Sequence, residues 1–307
     1  MKTILITGGM GLIGQSLTQM LLDKGYSVII ASRNPPASSS IKNLSYISWN
    51  TTRQWIDPEA IKKADAIINL AGAGVADKRW SESRKKEIAE SRVMSGQTIV
   101  KALKEIPNKV EVVIQSSAIG WYGPDPEHNS SFTGFTEAMP AYNDFLGQTC
   151  KQWENSIIAL KVMGVRVAIV RTGIVLTNKG GALKEFRKPL NFRLATILGK
   201  GTQKVSWIHI KDLCREMLFL LENESCAGIY NGVAPTPVTN KELILTLAKQ
   251  LYGSSFLTVT VPSFVLKVVM GEMSIEVLKS TTVKADKIQA AGFKFEFEKV
   301  EDAVKYV

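Results

Sequence analysis

The sequence predicts a doubly wound α/β fold, in which helices cover both faces of a parallel sheet. Two observations lead to this prediction. Short apolar runs alternate with stretches of helical spacing through the first half of the 307 residues. In addition, the first apolar run leads directly into a glycine-rich turn and then a helix-like segment. The alternation loosens beyond about residue 177, so we expect a smaller C-terminal α/β domain to follow.

The amino-terminal segment predicts a strand, a turn and a helix in direct succession. Residues 2–7 are typical of a buried parallel strand, and residues 16–22 have helical spacing. Between them, Gly8 allows a tight turn, Gly11 lets a diphosphate approach the backbone, and Gly14 lets the helix pack closely on the strand. Such a turn directs backbone N–H groups and the positive end of a helix toward a pyrophosphate. The segment therefore predicts a Rossmann-type dinucleotide-binding domain.

The next strand indicates which dinucleotide is preferred. A site for NAD would place Asp or Glu at the end of this strand to bind the ribose 2′-hydroxyl. Residues 27–31 run instead into Ser32 and Arg33, whose hydroxyl and guanidinium suit a 2′-phosphate. We therefore expect NADP(H), with Leu12 and Ile13 of the first helix also at the cofactor. The alternative is that Arg33 is an ordinary solvated loop residue.

The remaining elements follow in chain order. We predict strands over 44–48, 66–70, 110–116, 165–170, 206–210 and 256–261. We predict helices over 81–105, 143–163 and 239–251, the last with Thr239 as its N-cap. Residues 35–40 and 120–139 have loop composition. These elements place the dinucleotide-binding domain in residues 1–177, with 205–233 returning to it, and a substrate domain mostly in 178–307.

Composition narrows the class of protein. A hydrophobic content of 45% and a charged content of 21% are typical of a globular chain. No apolar run is long enough for a membrane span, and the first strand leaves no room for a signal peptide, so we expect a cytoplasmic protein without a membrane partner. The three cysteines are widely spaced, which favours reduced thiols and no metal site. The net charge of +10 is scattered, which argues against nucleic-acid binding.

Polar and small residues follow the predicted strands at the edge where such a sheet binds ligands. The run Asn69, Leu70, Ala71 and Gly72 would let the backbone approach the nicotinamide side of a dinucleotide, although a plain turn has the same composition. Ser116 and Ser117 follow a buried strand and could polarise a substrate carbonyl or hydroxyl, whereas a serine at such a place also serves as a helix cap or turn residue. We also expect Ser116 to contact the cofactor.

Several motifs resemble the extended short-chain dehydrogenase/reductase superfamily, and specifically its atypical epimerase family branch. They span essentially the whole chain: 69–72, 79–80, 91–92, 115–123, 145–154, 171–176, 180–183, 206–213, 231–235, 262–264, 271–273 and 287–293. The last three resemble the C-terminal domain of unknown function of this branch. The resemblance implies NADP contacts at Ser32, Arg33, Asn69, Leu70 and Arg92, and a catalytic serine at Ser117.

The superfamily's Tyr-x-x-x-Lys pair is missing. Its lysine would lower the pKa of the tyrosine and make it a usable acid or base. Aligned by spacing from Ser117, the tyrosine slot falls on Tyr142, with Leu146 four residues later. Aligned by the helix ending at residue 154, the two slots hold Leu146 and Cys150. The atypical branch similarly lacks the pair, so proton transfer would need Tyr122, Tyr142 or an ordered water.

Two hypotheses of function follow. In the first, the chain is an NADP(H)-dependent oxidoreductase or epimerase-like enzyme, a monomer or homodimer, acting on a small carbonyl or nucleotide-linked substrate. In the second, it binds NADP(H) without turnover, as a sensor or interaction module. We expect His209, which lies between two isoleucines, to be a structural hydrogen bonder, and we assign no role to His128.

Overall fold

The computed structural model describes residues 2–127 and 129–307, so His128 lies outside the described residues. The strands are β1 Thr3–Thr7, β2 Ser27–Ser32, β3 Leu44–Asn50, β4 Trp55–Ile56, β5 Ala66–Asn69, β6 Val112–Ala118, β7 Arg166–Thr172, β8 Ile174–Leu176, β9 Leu194–Leu198, β10 Lys204–Val205, β11 Trp207–His209, β12 Gly228–Gly232, β13 Val238–Thr239 and β14 Leu257–Val261. The helices are α1 Leu12–Asp23, α2 Pro58–Lys63, α3 Glu82–Glu105, α4 Phe145–Asn155, α5 Ala159–Val162, α6 Gly181–Leu190, α7 Ile210–Glu222, α8 Asn240–Tyr252, α9 Ser263–Met270, α10 Ser274–Leu278, α11 Asp286–Ala290 and α12 Val300–Ala303. Short 3-10 turns occupy Ile119–Trp121, Gly271–Met273 and Val304–Tyr306.

The large sheet has the order β12-β7-β6-β5-β1-β2-β3-β4. All neighbours in it are parallel except β3 and β4 at one edge. The chain starts at β1, proceeds outward to β2 and β3, and then returns to build the other half from β5. This reversal places a crevice at the carboxyl ends of β1 and β5. The doubly wound parallel sheet predicted from the sequence is confirmed.

Alternating side chains of the central strands build two apolar layers. Ile4, Ile6 and Ile68 face α1 and α7 in one layer. Leu5 and Ile67 face the opposite layer, which contains residues of α2, α3 and α5. Because almost every residue of β1 and β5 is fully buried, these strands have near-continuous apolar sequences, as parallel strands with both faces covered do.

A smaller α/β unit is built from later segments around its own core. Three two-stranded pairs, β8 with β11, β9 with β14, and β10 with β13, accompany α6, α8 and the end of the chain. The strand predicted at 206–210 therefore forms as β11, but it pairs with β8 and not with the large sheet. The segment that does return to the large sheet is β12, which pairs with β7.

The C-terminal segment packs on both cores. Val283, Ile288 and Phe293 lie in the apolar layer under α1 and α7, whereas Phe297 and Val300 belong to the core of the smaller unit. Asp212 at the start of α7 fixes the passage between the two cores, because its carboxylate accepts hydrogen bonds from the backbone N–H groups of residues 296 and 297. These contacts tie the end of the chain to the sheet.

Local signals explain the helix boundaries. Ser81 caps α3 through its side chain, and Thr239 caps α8 in a reciprocal capping box with Glu242. The helix predicted over 143–163 is instead two helices, α4 and α5, that are separated by residues 156–158. Over the described residues, no helix is both long and apolar enough to cross a membrane.

Candidate dinucleotide-binding site

The glycine turn after β1 is shaped by contacts that a side chain would prevent. Gly8 has a φ of +72°, and a Cβ atom there would lie 2.7 Å from the backbone carbon of Leu70. A Cβ atom at Gly14 would lie 2.5 Å from the carbonyl oxygen of Gly8. The turn is closed by a hydrogen bond from the N–H of Gly11 to the carbonyl of Gly8, at 3.0 Å. Gly8 thus allows the close approach of β1 and β5, and Gly14 lets α1 begin directly on the turn.

The first turn of α1 is open for an anion. Its N-cap residue is Gly11, which provides no side-chain cap, and the first turn contains no acidic residue. Leu12 and Ile13 open the helix, and both are only partly buried. Because the first N–H groups of a helix lack partners within it, this end presents donors and the positive end of the helix dipole.

Ser32 and Arg33 lie at the carboxyl end of β2, beside the glycine turn. Residue Ala31 of β2 pairs with Thr7 of β1, so Ser32 is one step beyond the end of β1. The Ser32 hydroxyl accepts a hydrogen bond from the N–H of Asn34 at 3.2 Å. The Arg33 side chain is exposed, and within the described residues it has neither an ion pair nor a hydrogen bond. It is therefore available to a ligand at this edge.

The segment after β5 forms the other wall of the crevice. The Asn69 side chain is fully buried: it accepts from the Thr7 hydroxyl at 2.5 Å and donates to Ser95 at 3.1 Å and Gln115 at 2.8 Å. These bonds join β1, β5, α3 and β6, so Asn69 can offer a ligand its backbone only. Leu70 and Ala71 contact the glycine turn directly.

Arg92 reaches this wall from α3. Its guanidinium donates to the Ala73 carbonyl at 2.9 Å, lies along Gly72, and stacks on the Trp153 ring at 5.0 Å. Burial lowers the pKa of Arg92. Over the described residues no carboxylate pairs with it, so its charge is uncompensated beside the crevice.

In the register set by the end of the helix, the slots for the missing tyrosine and lysine are Leu146 and Cys150, which lie on α4. In the register set by spacing from Ser117, the slots are Tyr142, just before α4, and Leu146. Leu146 packs on Gly120, where a Cβ atom would lie 3.2 Å from the leucine side chain. Cys150 is buried, its thiol lies 3.6 Å from the carbonyl oxygen of Ala118, and burial raises its pKa to about 12. A neutral thiol in this place provides no cation to tune an acid or base.

Ser117 is part of a buried ion-pair network. Its hydroxyl donates to a carboxylate oxygen of Glu154 at 2.7 Å, and the same carboxylate is held by two guanidinium nitrogens of Arg171 at 2.8 and 3.0 Å. Burial alone would lower the pKa of Arg171, but its bonds to Glu154 outweigh this effect and raise it. Ser117 is 2% exposed, so it faces this network and not the solvent of the crevice.

The same network holds Tyr122. The Arg171 guanidinium donates to the Tyr122 hydroxyl at 3.0 Å, and that hydroxyl donates to Asn231 at 2.7 Å. The Tyr122 ring is fully buried and stacks on Phe135. Burial raises the pKa of Tyr122 to about 12 in spite of the nearby Arg171 charge. In this position Tyr122 holds β6, β7 and β12 together.

Tyr142 and Ser116 occupy the remaining predicted positions. Tyr142 is 46% exposed, and its ring covers Gly123 in the loop after β6. Ser116 is nearly buried at the carboxyl end of β6, beside Val170 of β7. The sequence predicted three catalytic residues, Ser117, Tyr122 and Tyr142. Of these three, Tyr142 is the one that reaches solvent.

The residues predicted for the cofactor come together at one edge of the sheet. Eleven of them lie at or beside the carboxyl ends of β1, β2 and β5: Gly8, Gly11, Leu12, Ile13, Gly14, Ser32, Arg33, Leu70, Ala71, Gly72 and Arg92. The roles of Glu154 and Arg171 in the buried network were not predicted. Nothing in their spacing, 17 residues apart on α4 and β7, indicates that they pair.

His209 caps a helix. Its Nδ1 accepts a hydrogen bond from the N–H of Lys211 at the start of α7, and its ring packs against Phe297 at an interplanar angle of 49°. The sequence-based expectation of a structural hydrogen bonder is confirmed. The part of the chain that the structure describes holds no group of three or more metal-ligating side chains.

The fold and this edge define the class: a Rossmann-type protein with a dinucleotide-binding glycine turn. A family model described as the NAD dependent epimerase/dehydratase family matches residues 4–146, and a domain of unknown function, DUF1731, matches residues 261–307. An epimerase family protein of Staphylococcus aureus is 34% identical over 306 residues, covering 99% of this chain and 98% of its own. A Staphylococcus saprophyticus relative is 35% identical over 305 residues, covering 99% of each. The chain therefore belongs to the epimerase family, as its motifs indicated.

Solved structures agree with this assignment. Human epimerase family protein SDR39U1, crystallised with NADPH, superposes with a TM-score of 0.86 at 29% identity, covering 99% of this chain and 98% of that one. A nucleoside-diphosphate sugar epimerase from Corynebacterium glutamicum gives 0.77 at 26% identity, covering 99% of this chain and 57% of that one. The predicted atypical short-chain dehydrogenase/reductase fold is thus confirmed.

Proposed function

We propose that this protein is an NADP(H)-dependent oxidoreductase or epimerase-like enzyme that acts on a small carbonyl or nucleotide-linked substrate. The observation that carries the proposal is the open edge at the carboxyl ends of β1, β2 and β5. There an uncapped helix start, the exposed Arg33 and the uncompensated Arg92 place positive charge around a glycine turn. An anionic dinucleotide matches this distribution of donors and charge.

Each group at this edge suits one part of the cofactor. The N–H groups of Leu12 and Ile13 suit the diphosphate, and the Gly11 position leaves its approach open. Ser32 and Arg33 suit a 2′-phosphate, because no carboxylate ends β2 and a guanidinium binds phosphate with two donors. The NADPH of the human relative supports the same assignment.

When bound, NADP(H) supplies hydride exchange at its nicotinamide ring. The chain's own residues would orient the ring and the substrate beside the β5 and β6 ends, where Leu70, Ala71 and Leu146 offer an apolar wall. Ser117 would act by fixing the position of the β6 end through Glu154. A proton would have to come from Tyr142 or from water, because Tyr122 is buried and has a raised pKa.

A thermal-shift titration tests the cofactor assignment. NADPH that binds the folded state only should stabilise it by about 2.7 kcal/mol at a hundredfold excess over Kd, and NADH should stabilise it less. Arg33→Ala should remove most of the difference between the two cofactors. Lys24→Ala is the matched control, because Lys24 is also exposed and basic but precedes β2, at the opposite edge of the sheet from the turn. Equal shifts by NADPH in wild type and Arg33→Ala would contradict the assignment.

A second candidate function is NADP(H) binding without turnover, as a sensor or interaction module. The observation that favours it is the apolar pair Leu146 and Cys150 in the place of the tyrosine and lysine. Oxidation of NADPH in the presence of a panel of small aldehydes, ketones and nucleotide sugars distinguishes the two. Turnover with any of them supports the enzyme, and binding with no turnover across the panel supports the sensor.

A further inference from the structure

The segment after β14 contacts both the smaller unit and the residues that follow β5 and β6. We name residues 263–280 the strap; it contains α9, the turn at 271–273 and α10. At both ends it contacts the smaller unit. A Cβ atom on Gly199 would lie 3.1 Å from the Ser263 hydroxyl and 2.9 Å from the Leu278 side chain, and Gln203 donates to the carbonyl of Val277 at 3.1 Å.

The middle and the end of the strap contact the sheet side of the crevice. Glu272 forms an ion pair with Lys85 of α3 at 2.5 Å. The Arg79 guanidinium lies against Gly271, where a Cβ atom would be 2.8 Å from its Nε. Lys279 donates to the carbonyl oxygen of Tyr122 at 3.4 Å. These partners follow the carboxyl ends of β5 and β6, which form the nicotinamide half of a doubly wound site.

The first half of the strap, α9, has few buried contacts. In α9 only Leu266 is buried, while Phe264 and Val268 are 69% and 71% exposed. Gly271 has a φ of +61° and separates α9 from the turn that carries Glu272. A helix with one buried residue is expected to open at a lower free energy than the core. The far end of the strap is held more firmly, by the buried Ser274 and by hydrogen bonds of Ser280 to Asp125 and Lys204. The Glu272–Lys85 ion pair lies directly after α9 and joins this weakly packed half of the strap to α3.

We propose that the strap is the roof of the substrate compartment, closed over the nicotinamide half of the crevice by the Glu272–Lys85 latch. This inference rests on the proposed function and extends it to the role of the C-terminal domain. A roof anchored at both ends admits a small molecule when it opens and excludes a polymer. Lys279 is the ammonium that the roof brings to the edge of this compartment, where Glu276 pairs with it at 2.9 Å.

Charge reversal of the latch tests the roof. Glu272→Lys places two lysines together, so amide hydrogen exchange over 263–280 should accelerate and bound NADPH should be released faster. We expect about a fivefold increase in both rates, since an ion pair of this kind changes an opening equilibrium by about that factor. Asp302→Lys is the matched control, because it reverses the 2.8 Å ion pair between Asp302 of α12 and Lys305 of the turn that follows, and neither residue is in the strap.

Faster exchange and faster NADPH release in Glu272→Lys, with Asp302→Lys at wild-type rates, support the roof. Faster exchange with unchanged release shows that the strap does not cover the cofactor, and unchanged exchange shows that Glu272 is no latch; either result overturns the proposal. Glu272→Gln, with the same volume and no charge, gives the same test if the reversal prevents folding. An absence of any NADPH binding in wild type contradicts the proposed function itself and is seen before rates are compared.

Discussion

The two halves of the crevice use polar residues in opposite ways. At the ends of β1 and β2, backbone N–H groups and the Arg33 side chain remain free of partners in the described structure. At the ends of β6 and β7, every polar group of Ser117, Glu154 and Arg171 is engaged by another protein group. The first half is arranged to receive a charged ligand, whereas the second is arranged to hold strands together.

This difference explains how a fold can keep a cofactor site while its usual acid–base pair is absent. The cofactor half depends on backbone geometry, which glycines fix. In the other half, Leu146 and Cys150 fill the slots of the missing pair in one of the two registers, and the charge of Arg171 is neutralised by Glu154. Separate substitutions in the two halves should therefore affect stability and cofactor binding separately.

The largest expected change in the free energy of unfolding comes from a substitution in the buried network of Ser117, Glu154 and Arg171. Glu154→Gln leaves the fully buried Arg171 without a counter-charge, and breaking a buried pair in this way costs about 3–5 kcal/mol. Urea unfolding should show this loss, while the Kd for NADPH of the protein that remains folded should stay within about twofold of wild type. Glu185→Gln is the control, because it removes an exposed pair with Lys188 and should cost below about 1 kcal/mol. A similar loss for both variants would show that the network is not the stabilising feature.

The second largest loss of stability is expected from a glycine substitution in the cofactor half of the crevice. Gly14→Ala forces a Cβ atom against the backbone of Gly8 and Gly9, so the turn must shift. We expect a loss of about 1–3 kcal/mol in stability and a loss of NADPH binding. Gly25→Ala, at a φ of +84° with open space around it, should cost about 1 kcal/mol and leave binding unchanged. Full NADPH affinity in Gly14→Ala would separate the turn from the cofactor site.

The last prediction concerns Glu216 on α7, where a substitution is expected to raise the free energy of unfolding instead of lowering it. Both of its carboxylate oxygens are buried without a partner in the described structure, and burial raises its pKa well above 4.5, with the charges of Asp212 and Glu137 adding to this. The folded protein therefore keeps this proton after the unfolded chain has lost it, so the group lowers stability as pH rises above about 4.5. Glu216→Gln should remove this part of the decline and raise stability at pH 8 by about 1–3 kcal/mol. Thermal unfolding between pH 5 and pH 8 measures it, and parallel curves for wild type and variant would contradict the assignment.

The sequence predicted the cofactor half in more detail than the other half. A strand, a glycine turn and a helix are adjacent in the chain, so their geometry follows from local pattern, and the end of β2 is one strand away. The network of Ser117, Glu154 and Arg171 joins β6, α4 and β7, and its polar residues pair only after long-range folding. Tyr122 illustrates the limit, because a tyrosine beside a glycine in a loop does not reveal that its ring is fully buried.

The later part of the chain shows the same limit. The strand at 207–209 has an apolar pattern that suits the large sheet, but it pairs with β8 because β12 occupies the position beside β7. Similarly, no local pattern in residues 263–280 predicts which residues the strap contacts. Glu272 and Lys85 are 187 residues apart, and only the fold brings them together.

The central claim is that the glycine turn, together with Ser32 and Arg33, binds NADP(H) in preference to NAD(H). Isothermal titration calorimetry of the wild-type protein with NADPH and, separately, with NADH tests this claim most directly. We expect one NADPH per chain and an affinity for NADPH at least about tenfold above that for NADH, which corresponds to about 1.4 kcal/mol from the 2′-phosphate. Equal affinities would contradict the role of Ser32 and Arg33. The absence of heat with either cofactor, from protein shown to contain no bound nucleotide, would contradict the dinucleotide site itself.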